Sequence, residues 1–164
     1  HMQAEIRQFE PLYMARIAQL TNKSNQFNLT TKRFSEAEMK SYAQRDDYIC
    51  LYGKLTDKFG DNGIVTVVMG RQENDILHLE LWLMSCRVLR RGMEDAMLDE
   101  LVRRAVEKGV KSIKGYYYQT AKNGMVKDFY GQCGFQKLLQ AENGDSEWIL
   151  ETAAYKTRNH IIKV

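Results

Sequence analysis

Ser85-Cys-Arg-Val-Leu-Arg-Arg-Gly-Met-Glu94 is the stretch from which the fold is read. An alternating apolar segment, Ile76 to Met84, runs into it, and a helical stripe runs out of it, so it marks a strand-turn-helix junction. Such a junction offers unpaired backbone N–H groups and the positive end of a helix dipole to an anion. Arg87, Arg90 and Arg91 add charge where a phosphate would lie. Taken alone, the stretch reads equally well as a solvated turn whose arginines serve solubility. The elements around it have to decide.

In the incoming strand, period-two alternation puts Leu77, Leu79, Leu81 and Leu83 on one side and Ile76, His78, Glu80, Trp82 and Met84 on the other. The outgoing helix, Arg91 to Lys108, carries Met93, Met97, Leu98, Leu101, Val102, Ala105 and Val106 on one stripe and stops at Gly109. Its methionines have ordinary core spacing rather than the look of a cofactor box. Towards the N-terminus, Ala4 to Phe9 reads as a strand, and Pro11 opens a helix with Leu12, Ile17 and Leu20. A polar, amide-rich stretch from Thr21 to Thr31 leads to a capping box, Ser35 with Glu38, and a second helix to about Arg45. Tyr48 to Leu55 and Ile64 to Gly70 form a hairpin around Gly60-Asp-Asn-Gly63.

Towards the C-terminus, Val110 to Tyr118 is a strand and Lys122 to Gln132 a helix. Phe135 to Leu139 and Glu147 to Glu151 are short strands around Glu142-Asn-Gly-Asp145. The order is β-α-α-β-β-β-α-β-α-β-β, an α/β (α+β) domain with a mixed central sheet flanked by helices. Thr152 to Val164 is a polar tail with no assignable element.

The whole chain has 164 residues, 44% hydrophobic and 27% charged, which fits one domain with its own core. We read residues 3–164 as that domain and set aside His1-Met2 as a vector remnant. Twenty-four basic against 21 acidic residues give a formal charge of +3, and the basic residues are not interleaved with aromatics, so nucleic acid is not an expected partner. Cys50, Cys86 and Cys133 show no metal or disulfide spacing, which points to a reducing, cytoplasmic setting without a metal. No apolar run approaches the roughly 20 residues of a membrane helix.

The junction resembles the pyrophosphate loop of the GCN5-related N-acyltransferase (GNAT) superfamily, written Q/R-x-x-G-x-G/A. Arg87 takes its first position, Gly92 its last, and Arg90 stands where the middle glycine is usual. Asn123-Gly-Met-Val-Lys-Asp-Phe-Tyr-Gly-Gln-Cys-Gly-Phe135 resembles the second GNAT signature, Asn-x-x-Ala-x-x-x-Tyr-x-x-x-Gly-Phe, with Val126 in place of alanine. The segments 16–31, 59–65, 83–89 and 121–130 are further similar to the C-terminal GNAT-like domain of FkbH-like proteins. Those proteins carry a preceding haloacid dehalogenase (HAD) domain and are associated with loading glyceryl units onto the phosphopantetheine of an acyl carrier protein. Nothing in these 164 residues resembles that preceding domain.

The resemblance implies a GNAT fold that binds acetyl-CoA or another acyl-CoA, or the phosphopantetheine of a holo-acyl carrier protein. Met84, Ser85, Cys86, Arg87, Arg90, Arg91, Gly92, Met93 and Asn123 would meet that ligand. Acyl transfer needs a base, oxyanion stabilisation and an acid for the thiolate. Tyr130 matches the family tyrosine that protonates the leaving sulfur, although a core tyrosine would look the same. Glu80 and His78 share a strand face where a base is often placed, or else they form an ordinary polar contact. Asn123 equally suits a helix cap, and Cys86, with no His/Asp partner, reads as a buried thiol rather than a nucleophile. Asn25, Gln26, Phe27, Asn28 and Thr30 would shape the acceptor side. The alternative to an acyltransferase is a non-catalytic module that holds a carrier's phosphopantetheine arm.

Overall fold

The computed structural model describes residues 2–89 and 91–164. Its elements are β1 (Gln3–Gln8), α1 (Met14–Lys23), α2 (Glu36–Ala43), β2 (Tyr48–Asp57), β3 (Gly60–Glu73), β4 (Ile76–Met84), α3 (Met93–Glu107), β5 (Ser112–Tyr117), α4 (Phe129–Gln132), β6 (Gln136–Gln140) and β7 (Ser146–Glu151). The expected order is the observed one. Seven strands form one sheet in the order β1-β2-β3-β4-β5-β7-β6, antiparallel throughout except for the parallel pair β4–β5. The parallel step is forced by the α3 crossover, which returns the chain to the same end of the sheet.

Each sheet face is covered by apolar helix stripes. One core gathers Leu77, Leu79, Trp82, Met84, Met93, Met97, Leu101 and Phe129 under α3 and α4. The other gathers Met14, Ile17, Leu20, Met39, Tyr48, Leu81 and Leu83 under α1 and α2. The capping box forms as expected: Ser35 Oγ accepts from Glu38 N at 3.1 Å and Glu38 Oε1 from Ser35 N at 2.9 Å. Among the described residues, no helix is long and apolar enough to cross a membrane.

Four sequence expectations need correction. The leucines of β4 do not share a face. Gly70 pairs with Leu79 and Met69 with Leu81, so Glu80 is an extra residue, a β-bulge that switches the alternation. Leu77 and Leu79 therefore join the α3 core, and Leu81 and Leu83 the α1 core. The helix expected over Lys122–Gln132 is a 3-10 turn, Gly124–Val126, followed by the single turn of α4. Gly124 and Gly131 lower its helix propensity. Cys86, expected to be buried, is exposed, because the chain leaves the sheet at Ser85.

The tail, finally, has a fixed course. Asp99 of α3 accepts from the backbone N–H of Arg158 and of Asn159, both at 2.9 Å. The chain end then lies beside β1, where Lys163 O accepts from Ala4 N at 2.8 Å and Met2 O from Lys163 N at 3.0 Å.

Candidate functional site

β4 and β5 pair only at Ile76–Ser112, Leu77–Ile113 and His78–Lys114, and beyond His78 they diverge. A gap between parallel strands leaves backbone donors and acceptors that need partners. The segment Phe27-Asn-Leu29 supplies them. Leu29 N donates to Trp82 O at 3.0 Å, Met84 N to Phe27 O at 3.0 Å, and Tyr118 N to Leu29 O at 2.9 Å. Thr30 Oγ1 adds a bond to Glu80 O at 2.8 Å. The amide-rich stretch is thus a strap stitched between the two strands.

Asn123 locks the strap from the other side. Its Nδ2 donates to Asn28 O at 3.0 Å and to Tyr118 O at 2.9 Å, and its Oδ1 accepts from Thr120 N at 2.8 Å. The side chain caps no helix, contrary to one of the two readings offered for it. Asn28 in turn closes a local loop, its Oδ1 accepting from Thr31 N at 2.9 Å.

Beside the strap opens a cleft of ≈ 830 Å³. Met84, Ser85, Cys86 and Arg87 form one wall, and Asn25, Gln26 and Phe27 another, so the structure brings together residues expected on the cofactor side and on the acceptor side. Arg16, Lys23 and Lys122, which the sequence did not single out, join Arg87 around it, and among the described residues no carboxylate lines it. None of these four cations forms an ion pair among the described residues. Arg16, Leu20 and Lys23 follow helical spacing on α1, and that stripe of two cations flanking an apolar residue is the signal that could have revealed them.

The turn into α3 is less open to an anion than its sequence suggests. Gly92 adopts φ +93°, a left-handed conformation that favours glycine, and it lies against Ile161 and Ile162 of the tail. Arg91 is ion-paired with Asp57, and its guanidinium holds that carboxyl below the usual range. Met93 is fully buried, which leaves only its backbone to meet a ligand. Glu94 and Asp95 bring negative charge to the first turn of α3, where Asp95 pairs with Arg158 at 3.0 Å. Arg87 is exposed and, among the described residues, its guanidinium reaches Ser85 Oγ and Asn62 O, each at 3.4 Å. Arg90 lies outside the described residues. A second cleft, of ≈ 430 Å³, lies between the start of α3 and residues 125–133, and Phe27 lines both clefts.

Glu80 and His78 lie away from both clefts, in a polar patch on the strands. Glu80 accepts from Tyr48 Oη at 2.7 Å and faces Arg71 Nε at 3.4 Å. His78 Nδ1 is 2.7 Å from Tyr116 Oη, and its Nε2, 4.0 Å from Glu73 Oε1, has no hydrogen-bond partner among the described residues. Burial, and next the Arg71 guanidinium, hold the imidazole below its ordinary pKa, so it is neutral near pH 7. Tyr130 is 1% exposed and its phenol donates to Tyr116 O at 3.0 Å. Its ring fills the space above Gly115, where a Cβ would come within 2.5 Å of it. Burial raises the phenol's pKa above its ordinary value.

No protein-family model matches the sequence, and no curated protein does. Solved structures do match in fold. The ribosomal-protein-S18-alanine N-acetyltransferase of Escherichia coli aligns over 96% of this chain and 99% of its own at TM-score 0.67 and 16% identity. A GNAT-family acetyltransferase from Streptococcus pneumoniae covers 91% of this chain and 99% of its own at TM-score 0.69 and 17% identity. Rv2747 from Mycobacterium tuberculosis, solved in complex with CoA and NLQ, covers 90% and 98% at TM-score 0.68 and 12% identity. With its mixed seven-stranded sheet, bulged β4 and splayed β4–β5 pair, this chain has the GNAT acetyltransferase fold.

Proposed function

We propose that this domain binds a phosphate-bearing acyl thioester, acyl-CoA or the acylated phosphopantetheine of a carrier protein, and transfers its acyl group. The observation that carries the reading is the cleft beside the junction, lined by Arg16, Lys23, Arg87 and Lys122 with no carboxylate among them. Cations without ion-pair partners, partly shielded by a cleft, attract polyanions more strongly than scattered surface charges do. Leu20, Phe27 and Met84 offer apolar surface beside them for the rest of such a ligand. The fold neighbour solved with CoA supports the same ligand class.

A bound thioester supplies an activated carbonyl. For the protein's part, Arg87 and Lys122 would hold phosphate, and His78, neutral but with its Nε2 buried and outside both clefts, would take a proton from an amine acceptor only if the patch around it opened. Glu80 would order the same patch through Tyr48 and Arg71. Tyr130 would serve as acid only by exchanging its bond to Tyr116 O for one to the thiolate. The similarity to FkbH-like proteins makes a carrier-borne thioester and a separate HAD-type partner domain part of this proposal.

The enclosure of Tyr130 favours a second reading, a binding module without turnover. Tyr130→Phe separates the two. Acyl transfer predicts a lower kcat at unchanged CoA affinity, measured with acetyl-CoA and a panel of amines, whereas a binding module predicts a stability change alone.

A further inference from the structure

We propose, resting on the thioester reading, that Phe27–Leu29 is an internal stand-in for an extended ligand. It holds the β4 edge at Trp82–Met84, and an amide-bearing arm such as pantetheine reaches that edge only by displacing it. An open strand edge recruits an extended chain through its backbone groups. Here the recruit is the protein's own segment: Asn28 lies opposite Leu83 in antiparallel register, with Leu29 N on Trp82 O and Phe27 O on Met84 N. An arm with two amides carries donors and acceptors of the same kind.

Two further observations make the strap a gate rather than a fixed strand. Phe27 is the wall shared by the two clefts, its ring edge-on to Phe129 at 4.9 Å, so its departure would join the basic cleft to the one between α3 and residues 125–133. Thr31, at the strap's exit, sits at φ +54°, a left-handed conformation unfavourable for a β-branched residue. The bond from its N–H to Asn28 Oδ1 holds it there, so leaving the closed position releases strain. The strap also lies between the end of α1 and the Ser35 cap of α2, and it can move without unwinding either helix.

Hydrogen exchange on the wild-type chain with and without coenzyme A tests this. The Leu29 amide should lose protection when coenzyme A binds, while the Met84 amide, taken over by the ligand, stays protected. Binding with Leu29 protection unchanged overturns the proposal. A double variant, Asn28→Cys with Leu83→Cys, gives an independent test, because this directly opposed pair without mutual hydrogen bonds is where side chains of neighbouring strands come closest. Its oxidised form should bind coenzyme A at least about tenfold more weakly than its reduced form, and Thr31→Gly, which relaxes the closed strap, should also weaken binding. Equal affinity in the oxidised and reduced forms overturns displacement alone. No binding of coenzyme A by wild type or by the reduced variant sinks the thioester reading, and the gate with it.

Discussion

Replacing Asn123 by alanine should be among the most damaging single changes outside the apolar core. Asn123 is fully buried, and truncation orphans Asn28 O, Tyr118 O, Thr120 N and one bond of Tyr117 Oη. Tyr117 Oη keeps a contact to the backbone carbonyl of residue 123 at 3.3 Å, and Thr120 N is close enough to the surface to take a water. Asn28 O, bonded in the buried interior, has no such recourse, whereas Tyr118 O is part-buried. At about 1–3 kcal/mol for a buried group left unsatisfied, the expected loss is at least about 1–3 kcal/mol. For a domain of this size that lowers Tm by very roughly 5 °C. Urea and thermal unfolding of wild type and Asn123→Ala would measure it. Asn123→Asp, which keeps the acceptor but turns an oxygen towards both carbonyls, should be no better. A loss below about 1 kcal/mol for the alanine variant would refute the view that this side chain binds the strap to β5.

Further expectations follow from individual contacts. Gly115→Ala drives a methyl into the Tyr130 ring and should destabilise by at least about 1–3 kcal/mol in urea melts; a neutral result would show that Tyr130 is free to move aside. Because His78 has a folded pKa below its unfolded value, the unfolded chain binds more protons. Its contribution is therefore complete above about pH 6.5 and is lost as pH falls through the folded value. Wild type should thus lose more unfolding free energy than His78→Gln between about pH 7 and about pH 5, and parallel curves would contradict this. A thiol reagent at neutral pH should label Cys86 alone, since Cys50 and Cys133 are enclosed and burial pushes both thiols up to about 12. Coenzyme A should slow that labelling, whereas rapid modification of all three thiols would contradict the packing.

The elements legible in the sequence are those written in side-chain periodicity and caps. The α3 stripe apart from Val106, which is exposed, the Ser35–Glu38 box and the β4–junction–α3 order are found where the residues place them. The bulge at Glu80 was not legible, because every residue from Ile76 to Met84 fits a strand and alternation cannot show where one extra residue is tucked in. The strap escaped for a related reason. Its ties run mostly through backbone atoms, and Asn25-Gln-Phe-Asn-Leu-Thr30 has the composition of a solvated loop although Asn28 and Leu29 are fully buried. In the candidate site, the sequence showed the arginines of the junction but not their partners. Asp57, far along the chain, takes up Arg91, whereas Arg16 and Lys23 face the cleft from another helix. Long-range pairing decides which charges remain available, and no local pattern encodes it.

Calorimetric titration of coenzyme A into the wild-type chain, at low and at physiological ionic strength, tests the thioester reading most directly. The account predicts binding that weakens as salt rises, because charges at a cleft mouth are screened within about 8 Å at physiological ionic strength. It also predicts that Arg87→Glu with Lys122→Glu lowers the affinity by at least about tenfold per side chain, since a lost charge-assisted contact is worth about 1.5–3 kcal/mol. No heat at millimolar coenzyme A, or an affinity indifferent to both salt and charge reversal, would contradict it.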